Sequence, residues 1–379
     1  MTSVNRMLQR AMAAALSLAA MIAATDAFAA GTPSGTSVGN LATIDYSVGG
    51  VAQTPIESSP SGNTTPGVGN GTATAFLVDN RVDLTVAETG GAATSVGPGQ
   101  IDAIATFTVT NTGNTVQDYA LSVVNLAPAD GAVLGNVDTG LDGNNLRIRV
   151  DGNGNGTYQA GNDSATFIAS LAPDATVTVF VLADVPLGAA DNAVANVRLT
   201  AVTHVAGSGA SNPVVQTLGA DTAAVDVVFA DAGRDGLEIA ADGYRVASAN
   251  LSITKTSSVV SDPFNGAVNA KAIPGAVLEY AVTVANGGSQ PATGLRITDV
   301  LSGNLTLLTG AYNSGSADVS VEVGVGPAAT VFCTADNGDL DGDGCGLAGA
   351  TLQVSPAGLV VGTTGTNNPV RVLFRATIN

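Results

Sequence analysis

Ala105-Thr106-Phe107-Thr108-Val109-Thr110 alternates apolar and polar side chains with a period of two. Successive side chains of a strand point to opposite faces, so this alternation marks a half-buried strand of an antiparallel sheet. The same pattern recurs in Leu146-Arg147-Ile148-Arg149-Val150 and in Val177-Thr178-Val179-Phe180-Val181. Turns rich in Gly, Asn, Asp and Pro separate these runs, and no long amphipathic helical pattern follows residue 30. Many short strands spaced by turn signals predict β-sandwiches. The expected class is all-β: tandem immunoglobulin-like antiparallel β-sandwiches preceded by an N-terminal strand pair.

Working outward, a domain-sized repeat appears. Val82-Asp83-Leu84-Thr85-Val86 leads to Pro98-Gly99 and to a strand ending Asn111-Thr112-Gly113. Leu251-Ser252-Ile253-Thr254-Lys255 leads to Pro274-Gly275 and to a strand ending Asn286-Gly287-Gly288. Repeats of this length are whole domains rather than solenoid units. The expected division is a leader over residues 1–30 and a strand pair with a Gly/Ser/Pro loop over 31–80. A first sandwich over 81–230, an acidic linker over 231–249 and a second sandwich over 250–379 follow.

The two copies differ at their ends. In the first copy a strand at 176–186 precedes two more, at 195–202 and 222–229. The second copy reaches its equivalent strand at 369–379 and has nothing after it. Look-alikes of the extra pair sit near the N-terminus, at 40–48 and 72–78. Asn40-Leu41-Ala42-Thr43-Ile44-Asp45-Tyr46 parallels Asn196-Val197-Arg198-Leu199-Thr200-Ala201-Val202. The second sandwich is therefore expected to lack its closing strands, with an open edge beside 370–378. Open edges present unpaired backbone groups and find partners.

The second copy resembles a known bacterial repeat. Ser252-Ile253-Thr254-Lys255-Thr256, Pro274-Gly275, Tyr280-Ala281-Val282-Thr283-Val284-Ala285-Asn286-Gly287-Gly288 and Ala292-Thr293-Gly294-Leu295-Arg296-Ile297-Thr298-Asp299 carry the resemblance. It is similar to the conserved-repeat β-sandwich of bacterial and archaeal surface proteins called domain of unknown function eleven. The closing motif of that family resembles residues 35–44, at the other end of this chain. The resemblance implies a sandwich fold and a secreted or cell-envelope setting, and no particular activity.

Residues 1–30 read as a secretory signal peptide: Arg6 and Arg10, an apolar run, then Ala27-Phe28-Ala29. All four Met residues lie within it. No later stretch is long enough to span a membrane as a helix. The formal net charge of −18, with Lys255 and Lys271 the only lysines, argues against nucleic acid, whose binding needs basic surface. Cys333 and Cys345 are the only cysteines, and an oxidising compartment predicts a disulfide between them.

Two acidic loops have the spacing of a calcium loop. Asp151, Asn153 and Asn155 place oxygens at positions 1, 3 and 5, Gly156 follows at 6, and Thr157 and Asp163 lie downstream. Asp339, Asp341 and Asp343, with Asp336 upstream, form a second cluster that Cys333 and Cys345 bracket. Calcium is the cofactor expected on this reading. The alternative is a Gly/Asn turn that needs positive φ for the first loop and an exposed acidic loop clipped by a disulfide for the second. Enzymatic patterns are missing: His204 is the one histidine, and no nucleophile elbow or phosphate-binding loop occurs. Lys255 is a candidate for an intramolecular isopeptide bond to an Asn.

The expected function is a secreted or cell-surface structural or adhesive protein, stabilised by calcium and self-assembling by strand complementation, unless the N-terminal pair closes the second sandwich within the same chain or packs on residues 81–230. Its partners would be other copies of itself or other envelope proteins. The alternative is an extracellular binding module for carbohydrate or a protein receptor.

Overall fold

The computed structural model describes residues 31–326 and 329–379. The leader at residues 1–30 lies outside them. Strands dominate, and the two short 3-10 turns, Pro128–Asp130 and Asn313–Gly315, are the helical elements among the described residues.

The first sandwich packs two sheets. One has the order Asn144–Val150, Thr176–Asp184, Ala103–Asn111, Leu84–Glu88. The other has the order Phe167–Leu171, Gln117–Asn125, Val194–Val205, Leu237–Val246, Thr94–Val96. The alternation in Ala103–Asn111 appears as strictly alternating burial, with Ala105, Phe107 and Val109 fully inside. Val179, Val197, Leu199 and Tyr244 complete that core from both sheets.

The second sandwich repeats the first sheet. Val319–Val323, Val370–Ile378, Val277–Asn286 and Leu251–Ser261 follow in the same order, with Ala329–Cys333 added beyond Val319–Val323. Its opposing sheet has three strands, ordered Ile297–Val300, Thr351–Val354, Cys345–Ala348. Val319, Val372, Phe374 and Leu352 fill the core between them.

Three expectations need correction. Residues 231–249 are not a linker, because Leu237–Val246 is a full strand paired with Val194–Val205. The acidic residues before it build a turn: Asp231 accepts the Asp235 and Gly236 backbone N–H groups at 3.1 and 3.0 Å. Next, Val370–Ile378 is not an open edge. Val277–Asn286 pairs with one side of it, and Leu305–Leu307 and Val319–Val323 pair with the other. Finally, the strand expected at 222–229 shortens to Val227–Phe229 and pairs in parallel with Asn80–Val82. The closing pair of the first sandwich is therefore Val194–Val205 with Leu237–Val246.

The N-terminal pair expected from 40–48 with 72–78 forms only at its base, and the rest of 40–48 pairs with residues of the expected loop, giving an antiparallel ribbon in short segments. Ser37–Asn40 pairs with Thr74–Leu77, Thr43–Ile44 with Ile56–Glu57, and Ser47–Val48 with Val51–Ala52. Gly49 and Gly50 close its tip with φ of 58° and 80°, the two positive values a two-residue hairpin turn of the right twist demands. Among the described residues no strand of either sandwich pairs with Ser37–Asn40 or Thr74–Leu77.

Candidate functional site

The two sandwiches can be compared residue by residue. Leu84 stands opposite Asn111 on its neighbouring strand, and Leu251 stands opposite Asn286. Both asparagines use their side chains alike. Asn111 donates to the Thr115 and Leu171 carbonyls and accepts the Gly113 N–H. Asn286 donates to Gln290 and Val361 and accepts the Gly288 N–H. Continuing along the strands, Val86 faces Val109 as Ile253 faces Val284, and Glu88 faces Phe107 as Lys255 faces Val282.

Burial separates the copies at this point. Leu84 is 1% exposed, whereas its counterpart Leu251 is 46% exposed. Val86 packs on the core, whereas Ile253 is 65% exposed. Directly paired residues of adjacent strands share a face, so Ile253 lies on the core face of its sheet beside buried Val284. The cause is the opposing sheet. In the first sandwich it extends beyond Gln117–Asn125 with Val194–Val205 and Leu237–Val246. In the second it stops at Ile297–Val300, the counterpart of Gln117–Asn125, and neither extra strand is present among the described residues. An apolar mouth opens where they would lie.

Ile297–Val300 forms the rim of that mouth. It pairs with Thr351–Val354 on one side only. Leu301 donates its N–H to Ala350 on that bonded side. Hydrogen bonding alternates along an antiparallel strand, so the N–H groups of Thr298 and Val300 point to the open side. Across the mouth, Lys255 Nζ reaches Asp299 Oδ2 at 2.5 Å and lies 4.8 Å from the Tyr280 ring centre. The partner of Lys255 is thus a carboxylate, not the Asn amide expected for an isopeptide bond.

The acidic loops are built differently from the mouth. Asp151 accepts the Gly154 and Gly156 N–H groups at 2.7 Å each, and Asp163 accepts those of Gly152 and Gln159. Asn153 and Asn155 accept the N–H groups of Asn155 and Thr157. Burial pushes the Asp151 carboxyl up, and the backbone donors outweigh it and hold it below its ordinary range. In the second loop the structure brings Asp336, Asp339 and Asp341 together and sets Asp343 beside the Cys333–Cys345 disulfide. Asp336 accepts the Leu340 N–H, Asp339 that of Gly344, and Asp343 that of Thr334. These carboxylates already close turns. The His204 ring has a local contact, its Nδ1 lying 3.0 Å from the Val202 carbonyl oxygen.

No protein-family profile and no curated protein matches the sequence. Solved structures with related β-architecture exist. The C-terminal domain of the AgI/II polypeptide BspA from Streptococcus agalactiae aligns over 78% of this chain and 91% of its own, at 8% identity and a TM-score of 0.29. The CupB6 tip adhesin from Pseudomonas aeruginosa aligns over 79% and 86%, at 12% identity and a TM-score of 0.23. The full-length major pilin SpaD from Corynebacterium diphtheriae aligns over 79% and 58%, at 11% identity and a TM-score of 0.23. At such scores the role of this chain rests on its own residues.

Proposed function

We propose that this is an exported structural or adhesive protein of the cell surface, not an enzyme, and that its second sandwich is an acceptor for added β-strands. One observation carries the reading: the core-facing Leu251 and Ile253 are exposed where Leu84 and Val86 of the first sandwich are covered. Strand addition would hydrogen-bond the open side of Ile297–Val300 and cover the apolar mouth in one step. The leader and the acidic, lysine-poor composition support an extracellular setting. No helix among the described residues is long and apolar enough to cross a membrane.

Amide hydrogen exchange on the dilute chain tests the acceptor. Thr298 and Val300 should exchange rapidly, and an apolar dye should bind. Changing Leu251 and Ile253 to Ser should abolish dye binding with little change in melting temperature. Full protection of both amides at the lowest concentration would exclude an open edge. Protease accessibility on intact producing cells tests the location.

A further inference from the structure

We infer that the occupant of the open sandwich is the N-terminal ribbon of a second copy of this chain, which joins copies head to tail. The inference rests on the acceptor reading above and names its ligand.

Four observations converge. The first is strand number. Among the described residues the second sandwich lacks an antiparallel pair, and residues 36–78 form an antiparallel ribbon of three short ladders. The second is pattern. The ribbon run from Asn40 to Tyr46 parallels the run from Asn196 to Val202, which lies within the strand that fills this place in the first sandwich. The third is surface. Ile44, Val48, Val51 and Phe76 are 58–65% exposed, an apolar surface that the ribbon's own chain leaves uncovered.

The fourth is placement. The ribbon is rooted at the turn after Ala103–Asn111, where Ser34 donates to the Asn114 carbonyl and Asn114 Nδ2 donates to Thr32 and Asp79. The second sandwich joins at the opposite end, where Ala247 donates to Val96 and Ser248 to Asp191. The length of Ala103–Asn111, about 30 Å at the usual rise per residue, separates the two ends. A ribbon at one pole and a mouth at the other make a heterologous contact, which builds an open filament when the rotation does not close.

The experiment uses the chain from residue 31 in three forms, followed by sedimentation and negative-stain microscopy. The wild type is expected to form linear multimers. A ribbon variant, Ile44→Asp with Val48→Asp, and a mouth variant, Thr298→Pro, should each be monomeric. Mixed together, they should form one-to-one dimers and nothing longer, because each supplies the half the other lacks. Ile253→Asp serves as a second mouth variant should Thr298→Pro melt early. A monomeric wild type, or a mixture that yields no dimers, overturns the inference. If mouth variants abolish multimers and ribbon variants do not, the ribbon is excluded as occupant while the acceptor stands. If neither affects multimers, the ribbon is excluded, and rapid or protected exchange at Thr298 and Val300 then decides the acceptor separately.

Discussion

Asp242 sits on the core side of Leu237–Val246, 2% exposed, and its side chain accepts the Gly243 N–H at 2.6 Å. Burial first, and the negative charge of Glu88 second, push its carboxyl up to about 6. The folded state therefore binds this proton more tightly than the unfolded chain, whose value is 3.8. The contribution is complete below about pH 4, falls as pH rises and is gone above about pH 6. Asp242→Asn should flatten that segment of the stability curve and stabilise the first sandwich at pH 7 by about 3 kcal/mol. Denaturant melts at pH 4 and pH 7 check it as a difference from wild type; equal wild-type and variant slopes would refute it. The comparison of copies gives a second test. Leu84→Ala should cost about 3 kcal/mol, and Leu251→Ala, already half exposed, under about 1 kcal/mol in the monomer.

At the scale of elements, strands whose two faces differ in polarity were legible, and those that break the rule were not. Ala103–Asn111 follows from alternation, whereas Thr176–Asp184 is read from its β-branched start and is buried on both faces from Val179 to Ala183. Leu237–Val246 does not, because Asp242 interrupts its core face and Gly243 its outer face. Gly243 is there for space: a Cβ would lie 2.5 Å from Asn196 Oδ1. Tyr244 is the readable clue in that segment, a buried tyrosine whose hydroxyl donates to the Val181 carbonyl at 2.8 Å and so ties the sheets together. Tyr244→Phe should cost about 1 kcal/mol, seen as a lower denaturant midpoint with unchanged slope. The missing strand pair was readable from strand order, but its site was not. Chain order placed the gap beside Val370–Ile378, whereas pairing puts it beside Ile297–Val300. The calcium spacing coincides with turn chemistry, since the same oxygens at the same intervals close turns on backbone N–H groups. The disulfide was legible from the count of two cysteines and the expected compartment. It closes a loop of sequence separation 12, so reduction should cost the second sandwich about 3 kcal/mol. Faster exchange in Val319–Val323, with Ala103–Asn111 unchanged, is the expected readout.

At the scale of the whole molecule, the junction and the net charge decide how copies would join. Residues 247–250 connect the sandwiches, and Asp191 locks them by accepting the Ser248 and Ser289 N–H groups and the Ser289 hydroxyl. The Ser289 hydroxyl leads the donors that hold this carboxyl below its ordinary value, so the lock persists at mild acidity and opens only as pH falls through that lowered value. Asp191→Ala should leave both sandwiches folded and broaden the small-angle scattering profile. Assembly itself must overcome repulsion: the full sequence carries a formal charge of −18, and the chain from residue 31, without Arg6, Arg10 and Asp26, carries −19. The attraction at the mouth is short-ranged and largely apolar, whereas the repulsion acts over the Debye length. That length shrinks from about 30 Å at 0.01 M salt to about 8 Å at 0.15 M. Salt should therefore lengthen the multimers, the reverse of an assembly held mainly by ion pairs. Sedimentation of the wild type across that range measures it. Multimers that dissolve as salt rises would mean that charge pairs, not strand addition into an apolar mouth, hold the copies together.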